Sequence, residues 1–350
     1  MKSGPHVTLA DVAQSADVSL ATASRVLNGT ASVRTDLRDR VMSAASELAY
    51  APNAHAQALA GGTHRTVGVI CHDVSDPYFS AVAGGVMKVA NGNGLLVMLA
   101  DTFRDPDREV AYVSALRAQR ASAIVLIGSA FEDRSWERAM AAELDPYRRV
   151  GGQVAAVSRH RGLKVDTVLP DNRGGAAALA KALVGLGHKR FAVLAGPARL
   201  TTVCDRVDGF AEELAAHGVP LSDEDVLETT FDRDGGYEAA KRLLERPKRR
   251  RPTCVFAVTD LMAIGALAAF REAGVSVPGE VSVAGFDNIP VVRDLTPALT
   301  TVALPLEQLG ERAMDLALKA SGTRPRTVRL GAEVVLREST ARPKRPHRPL

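Results

Sequence analysis

The sequence predicts an α/β protein. A small all-helical N-terminal unit is followed by two lobes of doubly wound parallel sheet. Residues 7–50 hold short amphipathic helices and no strand-like run. Beyond Gly61-Gly62, apolar β-branched runs alternate with helical stretches, the texture of sheets covered on both faces. That alternation runs twice, over about residues 66–160 and 164–290, which favours two lobes over one very large sheet.

In the N-terminal part, Thr8–Ser15 places Leu9, Val12 and Ala13 at i, i+3, i+4 spacing. Ala16-Asp17-Val18 breaks the periodicity. A second helix starts at the N-cap residue Ser19 and runs to Leu27, stopped by Asn28-Gly29. A third, from about Thr35 to Leu48, aligns Leu37, Val41, Ala44, Ala45 and Leu48 on one stripe. Ala51-Pro52-Asn53 ends the unit, and the Ala-rich piece Ala54–Ala60 follows. The strand-like runs downstream are Thr66–Cys71, Leu95–Ala100, Ala123–Ile127, Val154–Val157, Arg190–Leu194, Thr253–Ala257 and Val281–Gly285. Helical stretches between them include Tyr78–Asn91, Pro106–Gln119, Arg173–Leu186, Arg206–His217, Gly236–Glu245 and Met262–Ala273. Residues 342–350, Pro-rich and cationic, read as a disordered tail.

Composition narrows the function. The 350 residues are 46% hydrophobic and 24% charged, close to the globular average, so bulk disorder is excluded. The N-terminus has no apolar signal-like core, and no run of about 18 apolar residues occurs, so neither secretion nor a membrane span is expected. Cys71, Cys204 and Cys254 are far apart and the eight histidines show no i, i+4 pair, so no metal site is expected and the thiols suit a reducing cytoplasm. Dinucleotide, P-loop, zincin and hydrolase-elbow motifs are absent; no cofactor and no enzymatic activity are expected. The net charge of +4 resides in the tail: residues 1–65 carry 6 basic and 5 acidic groups, residues 337–350 carry 5 and 1. Charge alone therefore makes no case for nucleic acid. The run Lys248-Arg249-Arg250-Arg251 reads as a solvated loop in preference to a second nucleic-acid patch.

Two short helices joined by a three-residue turn can set the second helix into a DNA major groove. Leu9, Val12, Ala13, Val18, Ala23, Val26 and Leu27 would form a small core, leaving Ser19, Leu20, Ala21, Thr22, Ser24 and Arg25 outside. Arg25 suits a guanine edge or a phosphate; Thr22 and Ser24 suit phosphate oxygens. A plain helical hairpin is the competing reading.

The segments VTLADVAQSADVS, TASRVLNG, SELAYAPN and AQALAGG, followed by LGHKRFAVLAGP, DRVDGF, GGYEAAKRLL, PTCVFAVTDLMAIGAL, VPGEVSVAGFDNIP and LTPALTTV, resemble the lactose-repressor (LacI/GalR) family of bacterial transcription regulators. The resemblance spans roughly residues 7–340, in order. It implies a helix-turn-helix domain over 7–53, a hinge over 54–62, and a two-lobed periplasmic-binding-protein-like domain over 63–341. Within that domain it implies a first lobe of about 66–163 and 293–322 and a second of about 164–290 and 323–341. Leu20 and Ala21 fall at the base-reading positions, and they offer at most apolar contact with a thymine methyl. The wider DNA-binding set it implies comprises Thr8, Ser19, Leu20, Ala21, Thr22, Ser24, Arg25, Asn28 and Arg34, with Asn53, Ala56, Gln57 and Leu59 in the hinge. Leu59 would wedge into the minor groove; otherwise it is a linker leucine packing on the next domain. Departures from the family pattern include Asp17 where the turn usually has Gly, a position Asp tolerates. Arg34 replaces a Ser cap, Leu37 a phosphate-contacting Thr, and Gln57 a frequent Arg.

In open parallel sheets ligands bind beyond the carboxyl ends of strands. Those ends hold His72-Asp73, Asp76, Tyr78-Phe79, Asp101-Thr102, Ser129, Thr202, Arg206, Phe231, Thr259-Asp260 and Phe286-Asp287. The resemblance implies Arg206 and Asp287 as a clamp for a sugar or nucleobase-like effector. Asp73, Tyr78, Phe79, Thr202, Phe231, Thr259 and Asp260 complete the set. The competing reading makes Arg206 and Asp287 a buried salt bridge with no ligand role. The function implied is a ligand-responsive regulator, a repressor by expectation. It would act as a homodimer on double-stranded DNA at a pseudo-palindromic operator, without membrane association. The alternative is a solute-binding protein for a sugar or nucleobase, which would need a signal peptide and no helix-turn-helix.

Overall fold

The computed structural model describes residues 7–28, 33–50, 66–131, 133–160, 162–319, 322 and 324–344. The chain divides into two compact units, Met1–His64 and Arg65–Leu350.

The first unit has three helices, α1 (Leu9–Ser15), α2 (Leu20–Asn28) and α3 (Thr35–Glu47). A capping box opens α1: the Thr8 hydroxyl accepts from Asp11 N at 3.3 Å and the Asp11 carboxylate accepts from Thr8 N at 2.7 Å. Asp17 adopts φ 48° in the turn, as its sequence position requires. The Arg40 guanidinium of α3 reaches back to the Ala16 and Asp17 carbonyls and locks that turn. Ser19 caps α2, accepting from Thr22 N at 3.1 Å. Val12, Ala13, Ala16, Ala23, Val26, Val41, Ala44 and Ala45 form the core, small enough to draw on all three helices.

The second unit is built on two parallel sheets. The first comprises β1 (Thr66–Cys71), β2 (Leu96–Asp101), β3 (Ala123–Ile127), β4 (Gln153–Val157), β5 (Asp166–Pro170) and β11 (Thr327–Leu330), in the order β11-β5-β4-β3-β1-β2. The second comprises β6 (Phe191–Ala195), β7 (Val226–Glu228), β8 (Cys254–Ala257) and β9 (Ser282–Ala284), in the order β7-β6-β8-β9. Helices α4 (Pro77–Gly92), α5 (Pro106–Ala118) and α6 (Arg134–Arg149) connect the first four strands of the first sheet. Helices α7 (Asn172–Gly185), α8 (Thr201–Ala216), α9 (Arg233–Glu245) and α10 (Asp260–Glu272) serve the second. Central β3 is buried at every position, as a sheet covered on both faces requires.

The chain crosses between the lobes three times. It leaves the first sheet after β5. It returns through β10 (Thr301–Ala303) to α11 (Leu306–Leu318), which packs on α4. After β11 closes the first sheet, β12 (Glu333–Val335) pairs antiparallel with β10. The chain then reaches the second lobe, where Val283 N donates to Ser339 O at 2.9 Å. The α4–α11 seam is close because glycines face backbone: a Cβ on Gly85 would lie 2.0 Å from Glu307 O, and one on Gly310 1.9 Å from Val82 O.

The lobe division read from the sequence put residues 164–290 and 323–341 in the second lobe. In the structure β5 and β11 belong to the first sheet, paired with each other in register Thr167↔Thr327. The run VDTVLP has charge and proline at its ends and β11 is half-exposed, so neither has the continuous apolar character of a central strand. Among described helices, none is long and apolar enough to cross a membrane.

Candidate functional site

In the first unit, Ser19, Leu20, Ala21 and Arg25 are exposed on α2, with Leu20 53% accessible; Thr22 and Ser24 are half-buried. The exposed face is thus the one expected from the periodicity. Arg25 lies back along its own helix, Nε donating to Ala21 O at 3.2 Å, so its donors must swing outward to reach a base edge. Two expected DNA contacts are engaged within the unit. The Thr8 hydroxyl serves the capping box, and Arg34 forms a two-point ion pair with Asp36 at 2.5 and 3.0 Å. Asn28 lies at the end of α2. Asn53, Ala56, Gln57 and Leu59 lie outside the described residues.

In the second unit the carboxyl ends of both sheets converge on a cavity. It is lined by His72, Asp76, Tyr78, Phe79, Arg104, Gly128, Ser129 and Ser158 from the first lobe, and by Leu200, Thr202, Arg206, Phe231, Thr259 and Asp287 from the second. Seven of the nine residues expected from the sequence are among these. The other two have different places. Asp73 sits behind Arg104, accepting from its Nη1 at 3.1 Å. Asp260 is fully buried beneath the site, where its carboxylate accepts from the Thr301 hydroxyl at 2.6 Å and Ile289 N at 2.9 Å; it braces the loop that carries Asp287.

Arg206 is the centre. It projects from α8, and every arm of its guanidinium is satisfied by its own lobe. Nε donates to Asn172 Oδ1 at 2.9 Å, Nη1 to Val258 O at 2.6 Å and Nη2 to Asp287 Oδ1 at 2.7 Å. Its charge lies 4.0 Å from the Phe286 ring centroid. Both members of the ion pair are buried, with side-chain exposures of 2% and 4%. Burial pushes the Asp287 carboxyl up to about 7, against the pull of Arg206. The buried-salt-bridge reading is therefore correct as a description of the pair; it does not bear on a ligand role. Asp287 takes φ 112° and Ser158 φ 84°, strained backbone at two opposed walls of the cavity.

The walls are aromatic and largely neutral. His72 lies against Phe131, ring centroids 5.6 Å apart, and burial drives its imidazole down to about 3, so it is uncharged at neutral pH. Gly128 leaves room for that ring, since a Cβ there would come within 2.7 Å of it. Asp76 caps α4, accepting from Tyr78 N at 2.9 Å, and Thr259 caps α10, so these two orient the helices that bring Tyr78, Phe79 and Asp260 to the site.

The lobes are closed on each other. Thr202 N donates to Ser129 Oγ at 2.8 Å, Phe131 and Leu200 form an antiparallel bridge, and Arg159 pairs with Asp205 at 2.7 Å. Arg104 lies over Phe79 of the first lobe and Phe231 of the second, 5.9 and 5.6 Å from the ring centroids. The space left is about 30 Å³, room for water and not for a ring-sized ligand.

The set of lining residues expected from the sequence lacked Arg104, Gly128, Ser158 and Leu200. Arg104 follows Asp101-Thr102 closely, so a wider search beyond the end of β2 would have reached it. Nothing in the sequence marks the left-handed φ of 52° and 59° at Phe103 and Arg104 that aims it across the cleft.

A helix-turn-helix unit joined to a two-lobed α/β unit with a cleft at its strand ends defines a class, the transcription regulators that bind DNA. Residues 8–53 match the family described as bacterial regulatory proteins, lacI family, and residues 180–340 match the periplasmic binding protein-like domain. The chain is 37% identical over 319 residues to the HTH-type transcriptional regulator GalS of Salmonella typhimurium, covering 91% of each protein. Its fold is similar to that of the lac repressor dimer bound to operator and the anti-inducer ONPF (TM-score 0.82, 25% identity, 96% of this chain and 100% of that one). It is also similar to a transcriptional regulator CelR–cellobiose complex (TM-score 0.69, 28% identity, 95% and 99%). The chain belongs to the LacI family of bacterial regulatory proteins and is a DNA-binding transcription regulator.

Proposed function

We propose that the protein is a cytoplasmic repressor without enzymatic activity, released from its operator by a sugar or sugar derivative bound between the two lobes. The observation that carries this is the Arg206–Asp287 pair, set in a cleft whose other walls are aromatic rings and hydroxyls from both lobes. Planar donors beside a carboxylate hydrogen-bond vicinal hydroxyls, and the faces of Tyr78, Phe79 and Phe231 suit the C–H faces of a sugar ring. Thr202 and Thr259 add hydroxyl partners. The solved neighbour with cellobiose in its complex favours a sugar over a nucleobase.

Because the cleft is closed and the space left is only about 30 Å³, an effector can enter only when the lobes part. Its binding energy then selects a different lobe–lobe angle, a change of the hinge kind. DNA contacts would come from Ser19, Leu20, Ala21, Thr22, Ser24, Arg25 and Asn28 of the helix-turn-helix, and from Asn53, Ala56, Gln57 and Leu59 of the hinge. Two copies are required to read a pseudo-palindrome. Strand β2 lies at the edge of its sheet with Leu96 65% exposed, and this edge offers a surface for pairing.

A thermal-shift screen of the full chain against monosaccharides, disaccharides and nucleobases tests this, since a ligand that binds only the folded state raises the melting temperature. The expected result is stabilisation by a sugar, with the same sugar releasing the protein from a duplex selected from a random pool. Stabilisation by nucleobases alone would overturn the sugar assignment. Stabilisation without any effect on DNA binding would overturn effector control.

A further inference from the structure

The end of the second lobe opposite the cleft, where its strands begin, gathers cations from three separate segments. Lys189 and Arg190 precede β6. Lys248, Arg249, Arg250 and Arg251 form the turn that precedes β8. Arg342 and Lys344 lie on the C-terminal segment, which His188 fixes to this end: its ring lies 3.0 Å from the Thr253 hydroxyl and its Nε2 donates to Ala341 O at 2.9 Å. Pro343 lies beside Gly187.

Arg190 Nη1 donates to Arg249 O at 2.9 Å, and Arg251 donates to the Arg246 and Leu244 carbonyls. Both guanidiniums are held in place by backbone oxygens, which do not neutralise them. Among the described residues none of these eight cations makes an ion pair. Asp225, on the β7 side, is taken by Arg246 at 2.7 Å. Glu280 lines one of the cavities below and accepts from Ser276 N at 3.0 Å, a bond that does not neutralise it; against it the eight cations leave a large positive excess. Two adjoining cavities of about 120 and 140 Å³ flank Arg190 and Pro252. Lys248 and Arg251 line one, and Lys189 and Arg250 the other.

We infer that this pole is a second DNA-binding surface, one that holds the phosphate backbone of a duplex without reading its sequence. The cations lie side by side at the starts of adjacent strands, so they match an extended row of phosphates better than a point ligand. Phe270 and Phe191 line the two cavities but are buried, so neither ring is presented to stack a base, which suits an intact duplex and disfavours single strands. The helix-turn-helix segment is nearly neutral, with 6 basic and 5 acidic residues over 1–65, so its bulk charge adds little sequence-independent affinity, and a basic pole elsewhere in the chain would supply more.

The test is binding of the full chain to a fluorescent 30-bp duplex of arbitrary sequence, followed by anisotropy across a KCl series. Lys248→Glu/Arg249→Glu/Arg250→Glu removes exposed side chains only. The expected result is a slope of log affinity against log salt shallower by about 2 to 3, at close to 0.9 for each phosphate no longer neutralised. Arg342→Glu/Lys344→Glu, on a different segment, lowers the slope by about 2. Arg138→Glu/Lys181→Glu/Lys241→Glu carries the same change of net charge elsewhere and leaves the slope at the parent value. Equal slopes in the parent and both pole variants, or an equal drop in the control, would overturn the inference. Displacement of the duplex by polyglutamate as readily as by unlabelled DNA would assign the pole to an acidic protein instead. Binding to the selected duplex at high salt stays unchanged in every pole variant, which separates this site from the helix-turn-helix.

Discussion

Removing one side of the Arg206–Asp287 pair separates its structural role from its proposed ligand role. Arg206→Met keeps the aliphatic stem over Phe286 but leaves the Asp287 carboxylate, 4% exposed, without its cation. Breaking a buried pair from one side costs roughly 3–5 kcal/mol, because the surviving carboxyl, already pushed up to about 7 beside Arg206, must stay desolvated as an anion or take up a proton. The Asn172 and Val258 oxygens also lose their donors, so the upper part of that range applies. Adding Asp287→Asn removes the stranded charge while keeping a side chain that tolerates the left-handed backbone there. The double variant is expected to recover about 2 kcal/mol of the loss. Urea unfolding followed by far-UV circular dichroism gives the stabilities, and anisotropy on the selected duplex with and without the sugar gives the response. Both variants should bind DNA and ignore the sugar. An Arg206→Met variant within about 1 kcal/mol of the parent would refute the burial reasoning. A double variant still released by the sugar would refute the ligand role.

Glu109 gives a pH dependence. It is 2% exposed on α5, and burial pushes it up to about 7, opposed by the Trp136 indole N–H at 3.2 Å. Its folded value exceeds its unfolded one, so the folded state holds the extra proton and stability falls as pH rises from about 4.5 to about 7, by ~3 kcal/mol in all. Glu109→Gln should flatten that slope and be the more stable protein at pH 8; Trp136 is the only tryptophan in the sequence, so its fluorescence in urea melts is the readout. Identical urea midpoints for Glu109→Gln and its parent at pH 5 and pH 8 would refute this. Gly310→Ala drives a methyl into Val82 O across the α4–α11 seam and should cost about 1–3 kcal/mol by thermal melting. Arg25→Ala should lower affinity for the selected duplex by about 1–3 kcal/mol and relax base preference at one position, measured by competition between single-base variants; a uniform loss across bases would make Arg25 a phosphate contact.

The helix-turn-helix was legible because its signals are local: a cap, a three-residue turn and a stripe of small apolar residues specify it. Strands β1 and β3 were legible with their correct ends because buried parallel strands are continuous apolar runs. The lobe assignments of β5 and β11 were not legible, since each is short and its place is set by its partners: β5 lies between β4 and β11, and β11 pairs with β5. Asp260 stood beside Thr259 in a motif, and nothing in the motif distinguished the residue facing the cavity from the one bracing it.

The sequence by itself determined the class of fold, the outward face of the second helix and most of the residues that line the cleft, because these follow from periodicity, caps and the rule that parallel strands place their ends together. Tertiary structure alone decided that each nitrogen of Arg206 finds a partner within its own lobe and that Arg104 spans the two lobes. It also decided that cations far apart in the chain, such as Arg190 and Arg342, share one pole. Each of these depends on which distant segments meet, and that is set by three chain crossings that leave no mark in local composition.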